Sequence, residues 1–346
     1  MALQESPPFW WRKAGVRAWA LSPLAALWGA VAARRMEQKP SASVQVPVLC
    51  VGNFVAGGAG KTPTVLALGK AARKRGLTPG FLSRGYGGHL HGPVMVDLDH
   101  HSASDVGDEP VLLARQAPTA ISADRPAGAE LLAARGCNFI IMDDGFQNPH
   151  LQKDFSLLVI DSGRGAGNGM PIPAGPLRAP LGRQLAMANG VLVIGRQSGA
   201  DAIIRQTARR GKPVYLANTV AIRPSQWKKR RVVAYAGIAD PLKFYGTLKD
   251  CGADIAARRS FPDHHVFTQE EVWELNESAS RLEAELVTTA KDIARLEGGS
   301  HHQRELAASS LCLEIELEFD DPRTAGIIID ATLAAHDERM LASSPS

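Results

Sequence analysis

The chain has 346 residues, 45% apolar and 21% charged, with a net charge of +4. That length buries a large core and favours two domains, while the near-balanced charge gives a nucleic-acid partner little to hold. Four cysteines, Cys50, Cys137, Cys251 and Cys312, lie far apart with no CxxC pair, which excludes a zinc knuckle or a disulfide framework and fits a reducing compartment.

The charge is unevenly placed. Residues 1–39 hold Arg12, Lys13, Arg17, Arg34, Arg35 and Lys39 against Glu5 and Glu37, and also Trp10, Trp11, Trp19 and Trp28. A basic, Trp-rich segment ahead of a neutral body reads as an amphipathic membrane-surface helix over residues 1–36. Two helical pieces are expected, broken at Pro23 with Ser22 as N-cap. Leu24, Leu27, Trp28 and Val31 share one face of the second piece. Its uncharged run, residues 18–33, is shorter than the ~20 residues a spanning helix needs, so it is expected to lie in the interface. Packing of this segment on the core is the alternative, and both can hold on opposite faces. No secretory leader is expected.

From residue 37 short apolar runs bounded by Gly or Pro alternate with helical stretches. VPVLCVGN, CNFIIMDDG, FSLLVIDSG, GVLVIGRQ and KPVYLANTV read as strands and PGFLSRGYGG as a strand and loop, with helices over TPTVLALGKAARKRG, DEPVLLARQAP and AGAELLAARG. Runs buried on both faces predict an α/β fold with a mainly parallel sheet flanked by helices, of the P-loop NTPase type. Ligands in such sheets sit beyond the carboxyl ends of the strands. Around residues 223–231 the sequence turns polar and basic, RPSQWKKRR, with Lys228–Arg231 read as a solvated linker, after which alternation restarts and ends in LCLEIELEF. The expected division is a nucleotide-binding domain over 37–225, a smaller α/β domain over 226–335 and a frayed tail over 336–346.

Residues 48–63, VLCVGNFVAGGAGKTP, carry the first chemistry. A strand, a glycine-rich turn and a helix beginning near Lys61 make a phosphate cradle of Gly57, Gly58, Ala59, Gly60, Lys61 and Thr62. Lys61 is expected at the β/γ-phosphates and Thr62 at Mg²⁺. The usual first glycine of this loop is replaced by Val55. A partner-acting lysine of the kind found in partitioning ATPases is also missing, since Ala56 holds that position. A membrane-associated switch ATPase is therefore the lesser alternative.

Acidic groups follow. Asp143 and Asp144 end the strand FIIMDD and suit Mg²⁺, although one of them could cap the turn. Asp108 and Glu109 of VGDEP stand at a helix start. Asp108 reads either as an N-cap or as a catalytic base, with Glu109 beside it as a Mg²⁺ or hydroxyl orienter. FPDHH adds Asp263, His264 and His265, where a histidine paired with an aspartate across a cleft could tune a base.

The ordered set GNFVAGGAGKTP, LSRGYGG, VGDEP, DDGFQ, PAGPLRAP, AGIADPLKF, FPDHH and TTAKD resembles the tetraacyldisaccharide 4′-kinase family over residues 8–320. The resemblance implies transfer of the ATP γ-phosphate to the 4′-hydroxyl of a lipid-linked glucosamine disaccharide 1-phosphate, giving lipid IVA. It implies a Mg²⁺-dependent enzyme on the cytoplasmic face of the bacterial inner membrane, drawn to anionic lipid and needing no protein partner. By the same resemblance Asp108 is the base, His264 its assistant, and Lys61 and Thr62 the triphosphate and metal contacts. Asp143 and Asp144 match the Mg²⁺ motif, and Arg84 and Arg178 match arginines near the substrate. One departure is Asn148, where the family often has histidine after DDGxQ.

Overall fold

The computed structural model describes residues 7–58 and 60–343. Its strands are β1 (Val48–Gly52), β2 (Pro79–Ser83), β3 (Val94–Met95), β4 (Thr119–Ile121), β5 (Phe139–Asp143), β6 (Phe155–Asp161), β7 (Gly190–Ile194), β8 (Val214–Ala221), β9 (Arg231–Ala236), β10 (Asp254–Ser260), β11 (Glu285–Thr289), β12 (Ser310–Leu313) and β13 (Ile315–Phe319). The larger sheet runs β13-β8-β7-β6-β1-β5-β2-β4-β3. It is parallel from β8 to β4, with antiparallel strands at both edges. β1, β5, β6 and β7 are buried at every position, as strands covered by helices on both faces must be. Val48 and Cys50 enter one core cluster, Leu49 and Val51 the opposite one.

β1 lies between β5 and β6, where the strand order reverses. Such a switch point opens a crevice beyond the strand ends. It receives the loop after β1, Asp143 and Asp144 from β5, and Asp161 from β6. The smaller sheet, β10-β9-β11-β12, is parallel throughout. It too has two core faces, with Val233 and Tyr235 on one and Val232 and Ala234 on the other.

Three expectations are corrected. LCLEIELEF does not belong wholly to the smaller domain: LCL completes the small sheet, and the chain changes sheets at Glu314 so that IELEF pairs antiparallel with β8. The alternation is continuous through both strands, so nothing in the pattern marks the crossing. Residues 336–343 of the expected tail are not frayed, since they end a long helix, and the last three residues lie outside the described residues. Helix Thr324–Ser343 buries Ile328 and Ile329 against the large-domain core, and Arg339 pairs with Asp154 at 2.7 Å. The boundary at 335 is thereby displaced to about Glu314. Lys228, Lys229 and Arg231 are exposed, as a solvated linker requires, although Trp227 beside them is 1% exposed in the small-domain core and Arg231 already starts β9.

The third correction concerns the N-terminus, where Val16–Met36 is one continuous helix of 21 residues containing Pro23. Proline removes the N–H that would bond the carbonyl four residues back. Here the Ser22 hydroxyl donates to that Trp19 carbonyl at 2.7 Å, so Ser22 replaces the missing donor and is not an N-cap. Ala18, Ala25, Gly29 and Met36 form a buried strip along the whole helix. Val16, Trp19, Leu24, Leu27, Trp28 and Val31 are 52–86% exposed on the opposite arc. By length and composition the helix could span a bilayer, but the strip seats it lengthwise on the protein.

Candidate active site

The phosphate loop is braced from outside. Val55, in place of the usual glycine, is buried and bridges Leu177, while the Ala56 N–H donates to the Pro176 carbonyl at 2.8 Å. The front of the loop is therefore held by residues 171–178 and needs no tight glycine turn. The same segment contacts the N-terminal helix, since a Cβ on Gly29 would lie 3.2 Å from Pro171. Gly57 and Gly60 adopt φ of 105° and 85°, the left-handed range that favours glycine. A Cβ on Gly60 would also strike Ile194 Cδ1 at 2.5 Å. Helix Lys61–Lys74 starts directly after it, with Lys61 and Thr62 both buried. Gly58 faces Ala239 of the smaller domain. Ala59, expected in the cradle, lies outside the described residues.

The two aspartates after β5 have opposite environments. Asp144, at φ 51°, is gripped by Arg178 Nη1 and Nη2 at 2.5 and 2.9 Å, with Lys61 Nζ at 3.7 Å. Burial pushes its carboxyl up, but Arg178 and Lys61 outweigh this and hold it well below the usual range. Both oxygens of Asp143 are buried without a hydrogen-bond partner. Burial first, then the nearby Glu109 carboxylate, push it up to about 7. An orphaned carboxylate facing a lysine-tipped phosphate loop suits a hard, oxygen-seeking cation. Thr62 and Asp143 therefore fit Mg²⁺. Asp144 fits the role of holding Lys61 and Arg178 in place.

Asp108 and Glu109 begin helix Asp108–Ala114. Asp108 does not cap the helix, whose N-cap is Gly107. Its Oδ1 accepts the Glu109 N–H at 3.0 Å, and its Oδ2 meets His264 Nδ1 at 3.2 Å and Arg295 Nη2 at 2.8 Å. Burial opposes ionisation, but the His264 hydrogen bond and the charges of Lys291, His264 and Arg295 keep this carboxyl well below its ordinary value. The hydrogen bond to Asp108 conversely raises His264, against its partial burial. Tyr86, from LSRGYGG, sets its ring edge-on to His264 at 5.6 Å. Glu109 pairs with Lys291 at 2.5 Å, and Lys291 chiefly lowers its carboxyl.

His265 is a different residue chemically. It bonds Glu271 at 2.8 Å, within the capping box of helix Gln269–Arg281, and stacks on Phe261. Asn148 caps its own turn by accepting the His150 N–H. His150 faces Ser41 and lines a groove with Val31, Arg34, Arg35 and Gln38, so it does not replace the family's histidine.

Lys61, Asp143, Asp144, Glu109 and Lys291 act on one another electrostatically, and Asp108 and His264 adjoin them. Arg84 is exposed at the end of β2 and makes no hydrogen bond or ion pair among the described residues, leaving it free for an anionic group. Arg178 is committed to Asp144, the Val55 carbonyl and Gln147. The site contains residues that sequence reasoning passed over. Lys291 and Arg295 sit in or beside TTAKD, where helical spacing from Lys291 could have pointed to Arg295. Lys243 pairs with Asp161 across the cleft, and Arg164 with Asp240 at 3.2 Å.

A glycine loop ending in Lys-Thr, an unpartnered aspartate and an acid–histidine pair beneath a second domain define a P-loop phosphotransferase. The model of the tetraacyldisaccharide-1-P 4′-kinase family matches residues 17–334. Curated relatives named tetraacyldisaccharide 4′-kinase include that of Rhizobium meliloti, 53% identical over 98% of both chains, and that of Sinorhizobium fredii, 54% identical over 98% of both. The crystal structure of LpxK from Aquifex aeolicus in complex with ATP shares the fold, with a TM-score of 0.69 at 24% identity, covering 91% of this chain and 99% of that one. The chain belongs to the tetraacyldisaccharide-1-P 4′-kinase family, and with it to the ATP-dependent kinases of lipid A biosynthesis.

Proposed function

We propose that the chain transfers the γ-phosphoryl group of ATP to the 4′-hydroxyl of tetraacyldisaccharide 1-phosphate, giving lipid IVA, at the cytoplasmic face of the inner membrane. The observation that carries this reading is the convergence of Lys61, Asp143 and the Asp108–His264 pair on one crevice between the domains. The glycine loop and Lys61 hold the triphosphate. Thr62 and Asp143 would hold Mg²⁺, which when bound would offset negative charge on the triphosphate. The 4′-oxygen bonds to the γ-phosphorus as the bond to the ADP oxygen breaks. Asp108 takes the hydroxyl proton and His264 keeps the carboxylate oriented. A strongly ionised aspartate suffices, because a loose transition state asks more for positioning and charge stabilisation than for base strength.

Labelled ATP and a disaccharide 1-phosphate glycolipid test the reading directly. The label is expected on the 4′-oxygen; hydrolysis alone, or label elsewhere on the sugar, refutes it. Asp108→Asn is expected to slow transfer by about 10²-fold or more with ATP affinity retained, and His264→Ala to cost less. A greater loss for His264→Ala makes the histidine the principal base.

The exposed arc of the N-terminal helix is read as the part that enters the headgroup region, with Arg34 and Arg35 at its end toward anionic lipid. Leu24→Glu with Leu27→Glu leaves the buried strip intact. The pair is expected to reduce flotation with phosphatidylglycerol vesicles and use of vesicle-borne substrate, with the rate on detergent-dispersed substrate unchanged. Undiminished flotation assigns this face no role in attachment.

A further inference from the structure

The acid pair of VGDEP is gripped by a helix of the other domain. Helix Ala290–Glu297 carries Lys291 and Arg295, four residues apart and so on one face. Lys291 takes Glu109, and Arg295 Nη2 donates to Asp108 Oδ2 at 2.8 Å. The other end of the guanidinium is equally engaged. Arg295 Nη1 donates to Asp292 Oδ1 at 3.0 Å and to the Gly237 and His265 carbonyls at 3.3 Å each. That Gly237 carbonyl also accepts the His264 N–H at 3.2 Å. Asp292 is itself fixed, accepting the Gly237 N–H at 3.1 Å and the hydroxyls of Thr288 and Thr289 at 3.2 and 2.7 Å. The junction has no slack, because a Cβ on Gly237 would lie 3.1–3.3 Å from Asp292 Oδ1, the Pro262 carbonyl and Arg295 Nη1. One planar fork thus joins the Asp108 carboxylate to the backbone segment bearing His264.

We propose that Arg295 is a positioning residue for phosphoryl transfer, fixing Asp108 and His264 relative to each other so that the proton-accepting pair forms only when the smaller domain is seated on the larger. A lysine could not do the same, since a point charge cannot bridge both ends at once. The groups facing Asp108 are His264, Lys291 and Arg295 from the smaller domain and Glu109 from its own helix, with Asp263 behind His264 at 3.7 Å. Removing the guanidinium leaves Asp108 easier to protonate.

The inference rests on Asp108 being the group that takes the hydroxyl proton, and a double-mutant cycle on the full chain separates the two. Arg295→Gln is expected to lower kcat about 30-fold and to leave KM for ATP within about twofold. In the Asp108→Asn background the same change is expected to cost less than about threefold, because the residue it serves is already gone. Arg295→Lys is expected to recover only part of the rate. Equal losses in both backgrounds, or a loss confined to KM for ATP with kcat unchanged, overturn the proposal. Arg115→Gln controls for helix packing, since Arg115 pairs with Glu297 on the same helix without touching the acid pair. Its rate is expected to match that of the unsubstituted chain, and a loss as large as that of Arg295→Gln also overturns the proposal. Undiminished transfer by Asp108→Asn alone refutes the underlying base assignment instead.

Discussion

Lys61→Ala is expected to cut phosphoryl transfer by about 10³-fold or more, the scale on which preorganised charge at a transferring phosphoryl group acts. The side chain is 9% exposed and lies 3.7 Å from Asp144, which Arg178 holds bidentately. Asp144 is therefore a rest that keeps the ammonium extended at the mouth of the loop. The nitrogen must also balance Asp143 and Glu109, on both of which it acts. Its loss leaves three carboxylates less compensated, so a lower Tm accompanies the catalytic defect. Single-turnover transfer at saturating ATP separates the two effects, and a rate within about tenfold of the unsubstituted chain removes Lys61 from the mechanism.

Much of this site was legible because its parts obey local rules. The loop from Val48 to Thr62 needed only a strand, glycines and a helix start. The pair at Asp143–Asp144 needed only a strand that ends in two charges. Order along the chain, VGDEP before DDGFQ before FPDHH, tied these parts to one family, whose fold and membership the chain shares. What the sequence could not apportion were roles within each pair. Asp143 and Asp144 are adjacent and chemically identical, yet Arg178 takes one and leaves the other bare. His264 and His265 likewise part only because Glu271 and Phe261 claim the second.

Most of the illegible features depend on contacts distant in sequence. Arg295 looks like a helix-surface charge until the two sheets are docked. Glu314 lies in an unbroken alternating run, and only the pairing of Ile315 with Ala221 shows that the chain has crossed domains there. That crossing sets two connections side by side, with the Ile222 N–H donating to the Glu314 carbonyl at 2.9 Å. Pro23 fails as a helix breaker because a hydroxyl one residue earlier happens to reach the vacated carbonyl. Val55 fails as a defect because residues 171–178 brace the loop. That brace also carries the N-terminal helix, so this helix and the phosphate loop rest on the same segment.

Asp143→Asn is expected to abolish most transfer while making the metal-free protein more stable. Its buried carboxyl has no hydrogen-bond partner and is pushed up to about 7, by burial and then by Glu109. The folded value lies above the unfolded one of 3.8. Well below pH 3.8 the carboxyl is protonated in both states and costs nothing extra. As pH rises toward 7 the unfolded chain releases its proton while the folded chain resists, so folding becomes progressively less favourable. Above pH 7 the full penalty stands, on the order of 1–3 kcal/mol once the unmet hydrogen bonds of the new amide are allowed for. Thermal melts in EDTA are therefore expected to draw together as pH falls toward 4 and to separate at pH 8, with the Asn variant the higher by a few degrees. Adding Mg²⁺ with a non-hydrolysable ATP analogue is expected to reverse that order, because only the carboxylate offers the charged ligand. A variant destabilised at pH 8 without metal would mean that Asp143 is a structural acid, and the metal would have to be held elsewhere.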